Sequence, residues 1–323
     1  MLNVNRLQIL RELANRKTLS AVAEAFFMSP SAVSQQLATL EREVGIPLIE
    51  REGRGVRLTS AGHDLVSSSE AVFEALERAE ASLARSREGL VGTVRISAFP
   101  TGARTLVIPT LLRLAETQPN LTLHVTDLEP EEALPMLGSG ELDFVVYYEW
   151  SLLPALSSAG VKVFPLASES LYLALPARHP LAQEKRPIAL AELADENWLG
   201  GRAATSMQEI LTVAASHAGY EPKTHFGSMD YGVILAGVGA GLGISVVPAL
   251  ALAGDTHDIR LRPLSDFTLT RTIKAAVRKG AEFSPLIGAV LETLTEEGSR
   301  LQQRLEVINE VIESYPDSLT LTA

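Results

Sequence analysis

Residues 19–62 read LSAVAEAFFMSPSAVSQQLATLEREVGIPLIEREGRGVRLTSAG, and two short helical runs on either side of Ser29-Pro30-Ser31 decide how this part of the chain folds. Ser20 precedes AVAEAFF, the Ser-Pro-Ser step interrupts it, and AVSQQLATLEREVG continues to Gly45. In the second run Val33, Leu37 and Leu40 recur at spacings of four and three, so one stripe is buried while Ser31, Ser34 and Gln35 point outward. Short polar groups near a helix N-terminus are what a recognition helix offers to base edges in the major groove. Upstream, Leu7, Leu10 and Leu13 share a face of a helix over 4–16, which Arg16-Lys17 closes where cations suit a helix C-terminus. Downstream, LIER and VRLT flank Glu52-Gly53-Arg54-Gly55, which predicts a β-hairpin carrying Arg51, Arg54 and Arg57. A basic hairpin beside a helix-turn-helix reads as a wing. The helical spacing alone would also suit a small packed helical subdomain.

Thr59 or Ser60 can cap a helix from about 60 to 88. Along it Leu65, Ser69, Val72, Leu76, Ala79 and Leu83 step by four, three, four, three and four, which is a heptad seam. Either the chain's own body or a second copy must cover it. A second copy is the stronger expectation, because a dimer also sets two winged heads at a fixed spacing on a two-fold DNA site. The expected assembly is a homodimer, or a homotetramer built from two.

Beyond a hinge at Gly89 and Gly92 the texture changes to short apolar strands alternating with helices. TVRISAF, a helix over 104–117, LTLHVTD, a helix near 131–139 and DFVVYY form one set. A second has LYLALP at 171–176, a helix near 189–194, NWLG, helices near 206–218 and 230–237, and GISVVP at 243–248. TIKAAVR at 272–278 adds a strand and 284–298 a helix. This alternation predicts two α/β subdomains and a mainly parallel sheet. Leu301, Leu305, Ile308, Val311 and Ile312 then space a further packed helix in the tail.

Charge is distributed as these modules require. The 323 residues carry a net −11, yet residues 1–60 hold 8 Lys and Arg against 6 Asp and Glu, leaving −13 for the rest. A nucleic-acid-facing head on an acidic body follows. There is no cysteine, which excludes disulfides, thiolate metal sites, thiol nucleophiles and thiol redox sensing by inventory. The N-terminus MLNVNRLQILREL lacks the basic-then-apolar pattern of a secretory signal, so a cytoplasmic location is expected. Residues 231–254 are uncharged, but Gly237, Gly239, Gly241, Gly243 and Pro248 interrupt any spanning helix.

The stretch over 19–62 resembles the DNA-binding head of LysR-type transcriptional regulators. GTVRISAF at 92–99, GELDFVV at 140–146, LALPARHPLA at 173–182 and GVGAGLGISVVP at 237–248 resemble that family's effector domain. The resemblance implies an α+β winged helix-turn-helix over 1–59, a dimerising linker helix over 60–89, and an α/β effector domain over 90–300 built like type 2 periplasmic binding proteins. Subdomain I would hold about 90–163 and 267–300, subdomain II about 164–266, with crossings near 162–166 and 263–268 and an extension over 301–323. Base-contacting positions carried over from the family fall on Pro30, Ser31, Ser34 and Gln35. Many relatives have Arg where Gln35 stands, so an amide matched to adenine replaces a fork matched to guanine.

Enzyme signals are absent from the sequence pattern. The six histidines at 63, 124, 179, 217, 225 and 257 show no metal-ligand spacing, and neither a GxSxG elbow nor a phosphate loop occurs. The glycines at 237–243 lie after a helix and before a strand, the reverse of a dinucleotide fingerprint. No metal or cofactor is expected. What remains is a cleft between subdomains, where a small-molecule effector would bind at strand ends and helix starts. Thr101 and Gly102 follow a strand, and Thr101 either holds a ligand or is a plain helix cap. Thr126, the cluster Tyr147, Glu149 and Trp150, the pair Arg202 and Thr205, and Met229 with Tyr231 are the other candidates. Glu149 beside Arg202 would suit a zwitterion if the two converge. A solute-binding transport protein would share such a body, but it requires export and has no use for residues 1–88.

Overall fold

A computed structural model describes residues 2–53, 55–86, 89–156, 160–252 and 258–314. Helices α1 (Val4–Arg16), α2 (Leu19–Ala25) and α3 (Pro30–Val44) precede the hairpin strands β1 (Ile49–Glu52) and β2 (Gly55–Leu58). Local capping sets each helix start: Asn3 accepts from the amides of Asn5 and Arg6, Thr18 from Ala21, and Ser29 from Ala32 with Pro30 following. Thr18 rather than Ser20 opens α2, because its hydroxyl reaches the third amide ahead. Gly45 ends α3 at φ +76°, a left-handed conformation that glycine adopts without a Cβ clash. Leu7, Leu10, Leu13, Val33, Leu37 and Leu40 join Leu48 and Leu58 of the hairpin in one core.

Helix α4 (Ser60–Arg85) is capped by the Thr59 hydroxyl, which accepts from the Gly62 amide. Its Val66, Ser69 and Ala81 are buried. The head also docks on its own body: Arg11 donates to the Gly138 carbonyl at 2.7 Å and Arg16 to Glu141 at 2.8 Å. Those arginines meet the C-terminal end of a helix with no basic residue in its own last turn, where the helix dipole favours cations.

The body comprises β3 (Gly92–Ala98), α5 (Pro100–Gly102), a π-helical turn over 103–107, α6 (Ile108–Thr117), β4 (Leu121–Asp127), α7 (Pro130–Ser139) and β5 (Phe144–Trp150). Then come β6 (Val161–Pro176), β7 (Asn197–Gly200), α8 (Ser206–His217), β8 (Lys223–Gly227), α9 (Tyr231–Gly239), β9 (Ser245–Pro248), β10 (Ile259–Arg262), β11 (Thr270–Arg278) and α10 (Pro285–Ser314). The segment expected as a helix near 189–194 is a 3₁₀ turn over Leu190–Leu193.

The main sheet runs β10-β6-β11-β5-β3-β4, with β9 also on β6. Its β3 pairs parallel with β4 and β5, whereas β11 is antiparallel to β5 and β6, and β6 is antiparallel to β9 and β10. The sheet is therefore mixed rather than mainly parallel, because the long strand β6 and the returning strand β11 run against each other. Nor does the first crossing fall near 162–166. Strand β6 stays continuous and exchanges β11 for β9 and β10 between Ser170 and Leu171. The return falls between β10 and β11, where residues 263–268 were expected.

Helix α10 also departs from the sequence reading. The segment 284–298 and the tail up to Ser314 are one helix of 30 residues, not two, and Leu301, Leu305 and Ile312 continue its buried stripe. Asn309 accepts from the Tyr172 hydroxyl at 2.6 Å, fixing this extension to β6. No described helix is long and apolar enough to cross a membrane; the uncharged run after residue 230 folds as α9, a glycine turn, β9 and a 3₁₀ turn.

Candidate functional site

Two sites are built, one on the head and one in the body. On α3, Val33, Leu37 and Leu40 are buried, and Pro30, Ser31, Ser34 and Gln35 are exposed together at the helix start. Phe27, which sequence reasoning passed over, stands 97% exposed at φ +51° in the turn leading to this helix. In the hairpin Arg51 and Arg57 are exposed; Arg57 pairs with Glu50 at 2.9 Å and lies 3.8 Å from Glu52, so carboxylates share its charge. Arg54 lies outside the described residues. On α4, Val72, Leu76, Ala79 and Leu83 are exposed while Leu65 is half-buried against the head core and Ser69 is buried.

The body contains a cavity of about 800 Å³ between its two halves. From the first half it is lined by Phe99, Thr101 and Arg104, by Asp127 and Glu129, and by Tyr148; from the second by Met207, Met229, Asp230 and Tyr231. Hydrogen bonds between the halves border it, among them Arg104 to the Leu250 carbonyl at 3.0 Å and the Ser206 amide to Glu131 at 3.3 Å.

Arg271, at the start of β11, forms the cavity wall. It is 1% exposed and pairs at 2.6 Å with fully buried Glu169, whose other oxygen accepts from the Leu250 amide. Its guanidinium lies 5.0 Å from the Phe99 ring, 4.9 Å from Tyr148 and 5.5 Å from Trp150, within cation–π range. It also donates to the Thr101 hydroxyl at 3.1 Å. Burial opposes its charge, but Glu169 and the nearby tyrosines more than offset this and hold its pKa above the ordinary value. In the same lining, burial raises the pKa of Glu129, although the Tyr148 hydroxyl donates to it at 2.7 Å and the Arg271 charge acts the other way. Burial likewise raises that of Asp127.

The structure gathers Thr101, Met229 and Tyr231 here, and leaves the other sequence candidates outside the lining. Thr101 is no helix cap: Phe99 precedes α5 without a side-chain cap, and the Thr101 hydroxyl accepts from Arg271. Gly102 serves packing, since a Cβ there would lie 2.6 Å from the Phe99 ring. Strand alternation separates the aromatic cluster. Tyr148 and Trp150 share the main core face with Phe144 and Val146, whereas Tyr147 turns to the layer under α7 and Glu149 pairs with Lys274. Arg202 is exposed and, like Glu149, lies outside the lining, so the condition that the two converge is not met at this cavity. Thr205 is the N-cap of α8, and Thr126 points outward from β4. Sequence reasoning missed Arg271, Glu169, Glu129, Asp127 and Arg104; the available signal was an arginine opening an otherwise apolar strand. No group of acids and histidines able to hold a metal occurs among the described residues.

Residues 4–63 match the family described as bacterial regulatory helix-turn-helix protein, lysR family, and residues 87–299 match the LysR substrate binding domain. A probable hydrogen peroxide-inducible genes activator from Mycobacterium avium is 32% identical over 94% of this chain and 92% of its own length. Among solved structures, a cysteine mutant of OxyR from Corynebacterium glutamicum is 22% identical with a TM-score of 0.57, covering 96% of this chain and 95% of that one. Full-length CbnR complexed with target DNA is 23% identical with a TM-score of 0.52, covering 91% and 99%.

Proposed function

Because the chain belongs to the LysR family of bacterial regulators, a DNA-binding transcriptional regulator with an effector-binding domain, we propose how its parts divide that function. Residues 1–59 bind double-stranded DNA, 60–89 dimerise, and 90–300 take a small effector in the cavity, with 301–314 an extension of the last helix. Pro30, Ser31, Ser34 and Gln35 read bases, and Arg51, Arg54 and Arg57 approach phosphates. Val72, Leu76, Ala79 and Leu83 meet a symmetry mate. One observation carries the effector assignment: a large cavity between two halves that touch across it through Arg104 and Glu131. Closure around a ligand changes the angle between the halves, and α4, which is attached to the first half, transmits it to the heads. CbnR complexed with its target DNA supports the DNA partner.

The name of the M. avium relative connects that protein with hydrogen peroxide. A thiol-based response is closed to this chain, whose 323 residues include no cysteine, and the cavity offers a ligand-based one instead. The protein acts in the cytoplasm and catalyses nothing in this reading. The test is a gel shift on DNA upstream of its own gene together with thermal shifts of the full chain against metabolites. Specific binding modulated by a stabilising metabolite is expected; sequence-independent binding, or turnover of that metabolite, would overturn the reading.

A further inference from the structure

The charges facing the cavity do not balance. Arg271 is already matched by Glu169 within the wall. Among the described residues, Asp127, Glu129 and Asp230 then face the cavity against Arg104 alone. Glu129 accepts only from a neutral hydroxyl and Asp230 only from the Gly232 amide of its own helix start. Two donors also belong to the lining: the hydroxyl of Tyr231 and Nη1 of Arg271, neither of which makes a hydrogen bond among the described residues, the other guanidinium nitrogens of Arg271 being used by Glu169 and Thr101.

Carboxylates without a cationic hydrogen-bond partner, together with unused donors in the same lining, describe the ligand. Resting on the reading of this cavity as the effector site, we infer that it takes a small molecule carrying a protonated amine and a hydrogen-bond acceptor, as amino acids and amino alcohols do. The ammonium group faces Asp127 and Glu129 and offsets the repulsion between their negative charges. The acceptor takes the Tyr231 hydroxyl and Arg271 Nη1. The aromatic rings of Phe99 and Tyr148 supply the apolar surface between them. A purely anionic molecule would bring a further negative charge beside three carboxylates and is disfavoured.

The experiment is a thermal-shift and calorimetric panel on the full chain at about 20 mM, where even a millimolar ligand saturates. It holds free amino acids and amino alcohols, their N-acetylated counterparts, and simple mono- and dicarboxylates. At least one free amine should raise the melting temperature, and its N-acetyl form should not. Glu129→Gln and Asp127→Asn, checked for native folding by circular dichroism, should each weaken that amine roughly tenfold or more, as loss of a charge-assisted contact does. Binding by carboxylates but by no amine overturns the amine assignment while leaving the cavity as the effector site. Amine binding unaffected by either substitution overturns it by placing the amine elsewhere. If no member of the panel shifts the protein, the amine assignment falls, while the effector reading of the cavity stands or falls on the wider metabolite screen.

Discussion

Helix α3 and the proposed effector cavity are built on opposite principles. On α3 the side chains proposed to read bases sit within six consecutive residues, are exposed, and hold up no part of the core. In the cavity they come from strands and helix starts more than a hundred residues apart, and the central one, Arg271, is as buried as any leucine. A surface that reads DNA can therefore change its side chains at little cost to folding. A cavity wall that contains a buried ion pair cannot, because each partner exists in a low-dielectric site only by virtue of the other.

Substitution at Arg271 should show the contrast at its largest. Arg271→Leu leaves Glu169 buried without its cation and should cost about 3–5 kcal/mol in denaturant unfolding, or prevent folding. Removing both charges together, as Arg271→Leu with Glu169→Leu, should restore much of that loss. A single variant as stable as the parent would mean that the pair is not what organises the wall.

An intermediate case is the bare face of α4. Leu76 is 44% exposed in the single chain, so Leu76→Asp should change unfolding of the isolated subunit by no more than about 0.5 kcal/mol. In a dimer the same aspartate faces its symmetry mate and loses water, an expense of about 2 kcal/mol or more, and sedimentation should show dissociation. Persistence of the dimer would assign its interface to another surface.

At the head, Gln35→Ala should leave the melting temperature unchanged and weaken specific DNA binding by about 1–3 kcal/mol, relaxing preference at one base pair per half-site. Equal weakening on every sequence would show that Gln35 does not read a base.

The smallest effect is one of pH. Burial raises the Glu129 pKa in the folded chain, so the fold favours its protonated form. Its contribution to stability is then greatest below the unfolded carboxylate value and declines as pH rises through the folded one. Relative to the parent, Glu129→Gln should flatten this part of the melting temperature profile of ligand-free protein. Superimposable profiles would remove the argument that Glu129 is strained by its surroundings.

How much could be read in advance follows the same division. Helix α3, its caps and its exposed face were legible because a helix period and a serine-proline start are local, and so was the seam of α4, whose heptad spacing needs only one helix to be seen. The paired strands β6 and β11 were not: each reads as an apolar strand, and nothing within either specifies that they run antiparallel, or that β6 changes partners at Ser170. The choice of Tyr148 over Tyr147 is an alternation whose phase depends on which face β11 and α7 cover. Sequence by itself determined the winged head, the linker helix, the α/β body and the absence of thiol chemistry, since these follow from near-neighbour spacing and residue inventory. Tertiary structure alone decided that Arg271, Glu169, Asp127 and Glu129 share one cavity. Charges that distant in the chain become neighbours only through sheet pairing, and their effect on one another arises only once burial has removed the water between them.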